Sequence, residues 1–445
     1  MHFPKLSIPV ASRAGLLLLL AALTGCGGSM VQSIAPADPA SPGGPTTTSS
    51  PAVSGRVQEG QQPVVGASIA LYAAGTTGYA SPSTNLLSAQ VVTDSSGNFT
   101  LAQPSTCTAG QQLYLVATGG NAGPGTNPNS ALMAGLGDCA SLTSTRFTLL
   151  DEVTTVASVY ALAPFMSGSA SLGAPASNLQ GLARAFSSIN KLVNTTTGVA
   201  PGTALPSGAV APSAQLYALA DILAACIDST GGHAGDGTPC GRLFTLTATS
   251  ASTPADTIAA TLAIARNPTA NVAALYALAP TSMPFLPTLT SAPTDWALAI
   301  TYHAGGFSAP SSTAVDASGN IWIANATGNT VSVLAQTGVP VAGSPFSGNG
   351  LAAPASIAID ASGNAWVANS GGATVSVFQN NGSVWSGSPI PVGAGPSAVA
   401  VDLTGDIWVA NAAASSLTQL SGSGTPLLTI TSNVSSPSAL AVNPN

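Results

Sequence analysis

One phrase that occurs three times near the C-terminus constrains the fold of this chain more than any other feature. The three copies span Pro310–Asn325, Pro354–Asn369 and Pro396–Asn411, and a fourth copy begins at Pro437. Successive copies start 41 to 44 residues apart. A repeat of this length is typical of solenoids and propellers, in which each repeat is one small structural unit.

Each copy predicts a hairpin of two short strands, because apolar residues alternate with small ones on both sides of a turn signal. The aspartate of the turn accepts hydrogen bonds from the turn backbone, and the glycine takes a positive φ. A third strand and a looser fourth follow, so each period predicts one four-stranded propeller blade. The residues shared by the copies are Asp316, Gly319, Trp322 and Asn325; Asp360, Gly363, Trp366 and Asn369; and Asp402, Gly405, Trp408 and Asn411.

The copies resemble NHL-type or streptogramin-lyase-like β-propeller repeats, in which a D-x-x-G-N-x-W-V hairpin opens each blade. The resemblance covers about a third of the chain and implies a β-propeller over residues 295–445 with about three and a part blades. It says little about activity, because one fold carries many functions. Either the sequence is truncated relative to its relatives, or a second chain or the preceding domain covers the open edges. A strand at Ala297–Ala304 is expected to pair within the last blade.

Residues 1–26 predict an export signal, with Lys5 and Arg13 ahead of a short apolar run at Leu16–Leu20. The run ends in LTGC, which resembles a bacterial lipobox and implies cleavage before Cys26 and lipid attachment to its thiol. The alternative is an ordinary secretory signal with an incidental cysteine. We therefore expect an exported protein, lipid-anchored to the cell envelope at the outer membrane or the outer face of the inner membrane. Residues 27–51 are rich in Gly, Ser, Thr and Pro and predict a flexible linker.

Four further cysteines allow three disulfide pairings. We predict Cys107–Cys139 and Cys226–Cys240, because each pair lies within one predicted domain and an exported chain meets an oxidising compartment. A metal site is the alternative. The absence of any C-x-x-C motif, with His233 as the only histidine near these cysteines, argues against it.

Residues 52–147 predict a small β-sandwich, with alternating apolar residues between turn signals. The pattern from Val53 to Leu101 resembles the carboxypeptidase regulatory-like (transthyretin-like) domain, which implies a non-catalytic spacer or recognition module. Asp94 and Gly97 are interpreted as hairpin-turn residues, with calcium binding as the alternative.

Residues 148–294 change to helical spacing and predict an α-helical domain. The acids Asp151 and Glu152 suit the start of its first helix. The segment Asn271–Pro280 echoes that helix in sequence, either as a pseudo-symmetric partner or by coincidence. The predicted fold class is therefore multidomain: an N-terminal β-sandwich, a central α-helical domain and an incomplete C-terminal β-propeller.

Charge argues against nucleic acid as a partner. The formal net charge is −7 and no Lys or Arg follows Arg266, whereas phosphate backbones need basic partners. The expected partners are the membrane, through the lipid, and a glycan, a peptide or another envelope protein.

Catalytic chemistry has few candidates in this sequence. The histidines are His2, His233 and His303, and there is no G-x-S-x-G, H-E-x-x-H or P-loop motif. We assign no catalytic residue, metal or cofactor, and we interpret the repeated Asp and Trp as turn and packing residues. The favoured function is an envelope-anchored binding or structural lipoprotein. The alternative is a propeller lyase or hydrolase resembling streptogramin lyases, incomplete in this chain.

Overall fold

The structure, a computed structural model, describes residues 51–102, 107–142 and 146–442. All of these belong to one unit, Ser49–Asn445. They form mainly β-strands in several antiparallel sheets, with fewer helices. The export signal, Cys26 and the linker up to residue 50 lie outside the described residues, so those assignments stay predictions.

Two sheets form the N-terminal part of the described chain. The strands, in chain order, are β1 Pro51–Glu59, β2 Gln62–Pro63, β3 Ser68–Ala73, β4 Thr84–Asn85, β5 Val91–Val92, β6 Asn98–Ala102, β7 Gln112–Thr118, β8 Ala131–Asp138 and β9 Arg146–Leu150. In the first sheet β1 lies between β6 and β9 and also pairs with β2; in the second the order is β4-β3-β7-β8, with β5 on β3. β1 and β9 run parallel, and every other pairing in these two sheets is antiparallel.

The helices come next in the chain and pack on the second sheet. They are α1 Glu152–Leu162, α2 Leu179–Leu192, α3 Ser213–Ile227, α4 Pro239–Thr247, α5 Thr257–Arg266 and α6 Val272–Tyr276. Short 3-10 turns span Cys139–Ser141, Ala163–Phe165 and Ala176–Asn178, and short strands are β10 Met166–Gly168, β11 Ser171–Leu172 and β12 Ala209–Val210. Asp151 caps α1: its carboxylate accepts from the Thr154 amide at 2.7 Å, and the Thr154 hydroxyl accepts from the Asp151 amide at 3.0 Å.

The burial of β7 and β8 explains how sheets and helices share one core. β3 alternates buried and half-buried residues, whereas β7 and β8 bury nearly every side chain. Helices α1, α2 and α5 pack against β8 and help to bury it. Gly135 of β8 permits this approach, since a Cβ there would lie 2.3 Å from the Ile189 side chain of α2. The core therefore runs without a break from Val53 to Trp296, and the predicted boundary at residue 147 falls inside β9.

Both predicted disulfides are present. Cys107 and Cys139 have Cα atoms 5.9 Å apart, and Cys226 and Cys240 have Cα atoms 4.4 Å apart. The second disulfide joins the end of α3 to the start of α4.

The repeats form three four-stranded antiparallel sheets, each with its strands in sequence order. We name them the first, second and third blade. After β13 Thr301–Tyr302, the strands are β14 Pro310–Val315, β15 Ile321–Asn325, β16 Thr330–Leu334 and β17 Phe346–Ser347; β18 Pro354–Ile359, β19 Ala365–Asn369, β20 Thr374–Phe378 and β21 Ile390–Pro391; and β22 Pro396–Val401, β23 Ile407–Asn411, β24 Ser416–Leu420 and β25 Pro426–Ile430. This is the predicted propeller-like arrangement. Up to residue 442 the described blades do not close into a ring.

The expected strand ahead of the first blade exists, but its predicted partner was wrong. β13 pairs with β12, with Ala209 opposite Tyr302, and does not join the incomplete last blade that the fourth copy begins. β12 lies between α2 and α3 in the chain, so β13 pairs with an edge of the helical part. Within the described residues, no helix combines the length and the apolar character needed to span a bilayer.

Candidate functional site

The repeated aspartates and tryptophans form the same hydrogen-bonded unit in every blade. The Trp322 indole N–H donates to Asp316 Oδ2 at 3.0 Å, and the matching bonds from Trp366 to Asp360 and from Trp408 to Asp402 are each 2.9 Å. The other oxygen of each carboxylate accepts backbone amides of its own turn. The turn glycines have φ values of 81° to 85°, a conformation that glycine adopts without steric cost.

These hydrogen bonds set the charge state of two of the turn carboxylates. Burial would raise the pKa of Asp316, but bonds from Trp322, from Asn320 and from the turn backbone together lower it. The Thr404 hydroxyl, followed by the Trp408 indole, lowers the pKa of Asp402 to about 2. Each carboxylate thus stays ionised and is bonded within its own blade.

The asparagines that end the second strands form a second repeated unit. In the first blade the Asn325 amide donates to Thr330 Oγ1 at 3.1 Å and to Ser332 Oγ at 2.9 Å. Asn369 and Asn411 make the matching pairs of bonds in the next two blades. All three asparagines are fully buried, so they satisfy buried polar groups between strands.

One face of each blade points toward the following blade, and we call it the forward face. The forward-face residues of the first and second blades lie in two apolar clusters between blades, where Trp322 and Trp366 are fully buried. On the third blade the register places Trp408, Gln419 and Leu428 side by side, and Ala410, Leu417 and Ile430 in the next row. There Trp408 and Leu417 are only partly buried, and Leu428 is 47% exposed. Among the described residues, the forward face of the third blade is therefore less covered than those of the first two blades, and we call it the open face.

The start of the fourth copy lies beside this face. Ser397 Oγ donates to the Pro437 carbonyl at 2.6 Å, which repeats the bond at 2.6 Å from Ser311 Oγ to the Pro354 carbonyl between the first two blades. Pro437 thus takes the position that the first strand of a following blade would take. Residues 437–442 form no assigned strand.

The sequence identified the repeated residues but not the open face. A signal was present, because Gln419 stands where the first two blades carry Val333 and Val377. Its side chain donates to Asp406 Oδ2 at 2.9 Å. A polar residue in that position is compatible with a face that is open to water.

The isolated polar candidates lie apart from the blades' repeated units. His303 is exposed beyond β13, where its backbone amide donates to the Gly208 carbonyl at 2.8 Å. His233 has a side chain 87% exposed, with Nδ1 3.2 Å from Asp236 Oδ2. Asp94 accepts the amides of Ser96 and Asn98, as expected of a turn residue. Across the residues that the structure describes, no three His, Cys, Asp or Glu side chains group so as to hold a metal ion.

A second candidate site, which the sequence did not indicate, is a cavity of about 720 Å³ in the helical part. Four segments form its walls: the hairpin of β1 and β2, the end of α3, the start of α4, and the stretch from Ala277 to Pro284. Glu59, Asp228 and Arg242 are its ionisable residues. No local motif joins them, because they come from three separate parts of the chain.

Comparison with known proteins adds little to this description. No protein family matches the chain, and no characterised protein does. Among solved structures, a streptogramin B lyase is similar, with 19% identity over 30% of this chain and 44% of that chain at a TM-score of 0.27. The hydrazine synthase of Kuenenia stuttgartiensis is similar with 19% identity over 30% of this chain and 39% of that chain, at a TM-score of 0.27. A catalytically inactive virginiamycin B lyase of Staphylococcus aureus, solved with quinupristin, is similar with 16% identity over 33% of this chain and 50% of that chain, at a TM-score of 0.30.

This chain spans half or less of the length of each of these solved structures. At such TM-scores the likeness carries no argument about activity. The description of the blades rests on the repeat, the sheet order and the packing between sheets. The resemblances to a lipobox, to NHL repeats and to a carboxypeptidase regulatory-like domain stay predictions.

Proposed function

We propose that the chain is a lipid-anchored binding module of the bacterial cell envelope, and that it captures an extended apolar β-hairpin of a partner protein on the forward face of its third blade. The anchor rests on the lipobox-like sequence that ends at Cys26. The binding role rests on the open face described above.

The observation that carries this proposal is a comparison within the molecule. The same indole position is fully buried in Trp322 and Trp366 but partly exposed in Trp408. Contiguous exposed apolar surface of this kind marks interaction sites on soluble proteins. Full burial of one Leu or Ile side chain contributes roughly 1.5–3 kcal/mol, so covering this face is favourable.

The packing between the first two blades indicates what fits the face. There Ala365, Val367 and Phe378, from β19 and β20, pack over the forward face of the first blade. A partner with two strands of the same alternating apolar pattern would cover Trp408, Leu417 and Ile430 in the same way. The backbone of residues 438–442 could pair with such a hairpin, as in recognition by strand addition.

Charge supports an apolar partner. From residue 396 onward the only ionisable side chains are Asp402 and Asp406, and both accept hydrogen bonds from their own blade. With no Lys or Arg in this region, the face has no basic group with which to select an acidic ligand.

The lyase alternative has no specific observation in its favour. A catalytic site needs titratable groups that converge on one reacting centre. Here Asp316, Asp360 and Asp402 each bind the tryptophan of their own blade, and His303 is exposed beside Gly208.

A labelled synthetic peptide tests the proposal. Residues 360–379 contain β19 and β20, so this peptide carries the pattern that covers a forward face. We expect this peptide to bind saturably to the full chain with Cys26→Ser, as measured by fluorescence anisotropy. A peptide of the same composition in scrambled order should not bind. Leu417→Asp should weaken binding by about tenfold or more, since a buried charge without a partner is costly.

Leu403→Asp is the matched control, because Leu403 is 72% exposed on a turn of the same blade. It should leave peptide affinity unchanged. Circular dichroism would verify that both variants fold. Equal affinity for the two variants, or no binding of the blade peptide by the unsubstituted face, would refute the proposal.

A further inference from the structure

We infer that the cavity formed by the β1–β2 hairpin, α3, α4 and residues 277–284 binds a zwitterionic amino compound, such as a free amino acid or a short peptide, through Glu59 at its amino end and Arg242 at its carboxylate end. This site is separate from the third blade and does not depend on the function proposed for that blade.

Glu59 is the residue that points most directly to a ligand. Its side chain lines the cavity and is only 9% exposed. Among the described residues, the one ion pair within 4.0 Å joins His233 and Asp236, so no basic side chain pairs with Glu59. A carboxylate that is largely buried but opens on a cavity is stabilised by a hydrogen-bond donor or a cation in that cavity. An ammonium group in the cavity would supply both.

A further acid reinforces the preference for a cation at this wall. Asp228, at the exposed end of α3, also lines the cavity, and its carboxylate favours a positive group beside Glu59. Glu152 lies behind the hairpin with no exposure, and one of its oxygens accepts the Gly60 amide at 3.3 Å while the other has no partner among the described residues.

Arg242 provides the opposite charge at the same opening. Arg242 lies two residues after Cys240, and Asp228 lies two residues after Cys226. The disulfide between these cysteines holds their Cα atoms 4.4 Å apart. The ends of α3 and α4 are thereby fixed side by side. A guanidinium group suits a carboxylate because it can donate two parallel hydrogen bonds.

An adjoining cavity of about 350 Å³ shares Arg242 and Leu278 with the first and is also lined by Leu246. It offers room for an apolar side chain next to the carboxylate position. The two cavities together fit an amino acid such as leucine better than a simple amine.

The ionisation of Glu59 gives the site a pH dependence. Burial, and then the nearby Asp228, raise the pKa of Glu59 to about 7. Burial, with Glu59 and Asp151 nearby, raises the pKa of Glu152 well above its usual range. Binding of an ammonium group should therefore strengthen as pH rises from 6 to 8, while Glu59 loses its proton.

Three probes separate the two ends of the site: L-leucine, 3-methylbutylamine, which lacks the carboxylate of leucine, and 4-methylpentanoate, which lacks its amino group. We expect calorimetric titration of the full chain with Cys26→Ser to rank leucine first, the amine second and the acid last. Leucine should bind about tenfold more weakly at pH 6 than at pH 8, since each pH unit below the pKa of an essential carboxylate reduces affinity by up to tenfold.

Glu59→Gln should reduce the affinity for leucine and for the amine by about tenfold or more, the range lost with a charged hydrogen bond. Arg242→Gln should remove only the preference for leucine over the amine. Asp406→Asn makes the same charge change in the third blade and should alter neither affinity.

The probe series on the unsubstituted site keeps the inference testable even where a variant fails to fold. Binding of 4-methylpentanoate as tightly as leucine, or no binding by any probe at pH 8, would overturn it. Unchanged leucine affinity in a folded Glu59→Gln variant would overturn it as well. Peptide binding at the third blade, measured on the same preparations, should be independent of all these outcomes.

Discussion

The three Asp–Trp hydrogen bonds differ in burial, and this predicts a graded loss of stability when each aspartate is replaced by alanine. Asp316→Ala leaves the Trp322 indole N–H without an acceptor in a fully buried position. An unsatisfied buried donor costs about 1–3 kcal/mol. The turn amides that lose their acceptor are closer to water and add about 1 kcal/mol. We therefore expect a loss of about 3 kcal/mol.

Asp402→Ala removes the same kind of bond from Trp408, but this indole is partly exposed. Water can reach the freed N–H, so the expected loss is about 1 kcal/mol. Asp360→Ala should fall between the two, because Trp366 is fully buried but Asp360 is not.

Urea unfolding of the full chain with Cys26→Ser, followed by tryptophan fluorescence and circular dichroism, measures these differences. The shift in midpoint multiplied by the slope gives the change in free energy of unfolding where unfolding is two-state. Hydrogen exchange of the indole N–H groups gives a local measurement that does not need two-state behaviour. A loss for Asp402→Ala as large as that for Asp316→Ala would refute the argument and would mean that the third forward face is covered.

Two further predictions concern ionisation and anchoring. Burial, and then the nearby Asp228, raise the pKa of Glu59 to about 7. Burial also raises the pKa values of Asp151 and Asp221, in each case to about 6. The folded state then holds protons that the unfolded state has lost, so stability should fall as pH rises from about 4.5 to about 7. Allowing for solvent that reaches the cavity, Glu59 should account for about 2 kcal/mol of this fall. Thermal unfolding of Glu59→Gln should show a shallower decline, and superimposable profiles would contradict the prediction. Cys26→Ser should abolish incorporation of labelled palmitate and release the protein from the membrane fraction, whereas a Cys26→Ser protein that still carries lipid would contradict the lipobox interpretation.

The sequence predicted what depends on neighbouring residues. The Asp-x-x-Gly turns, the hairpins and the blades follow from contacts within one period, and Trp322, Trp366 and Trp408 occupy equivalent positions as expected. Helical spacing was predicted over residues 148–294, and helices α1 to α6 lie within that range. The disulfides were predicted because each joins residues close in the chain.

What the sequence did not indicate depends on contacts between distant segments. The pairing of β13 with β12, and not within the incomplete last blade, depends on which strand edge lies next to β13 in the folded chain. The cavity at Glu59 needs the hairpin, α3 and α4 to meet. Trp408 carries the same local signal as Trp366, and only the residues next to each of them decide which one is buried.

The parallel pairing of β1 with β9 has a consequence for the order in which an exported chain folds. Val53 pairs with Arg146, more than ninety positions later in the chain, so the first sheet cannot be completed until two distant segments of the chain meet. Each blade closes within its own period and can form as soon as its strands are free. Because local contacts form faster than distant ones, the blades should fold before the N-terminal sheet is complete, and the protein would finish folding at the end nearest its predicted anchor.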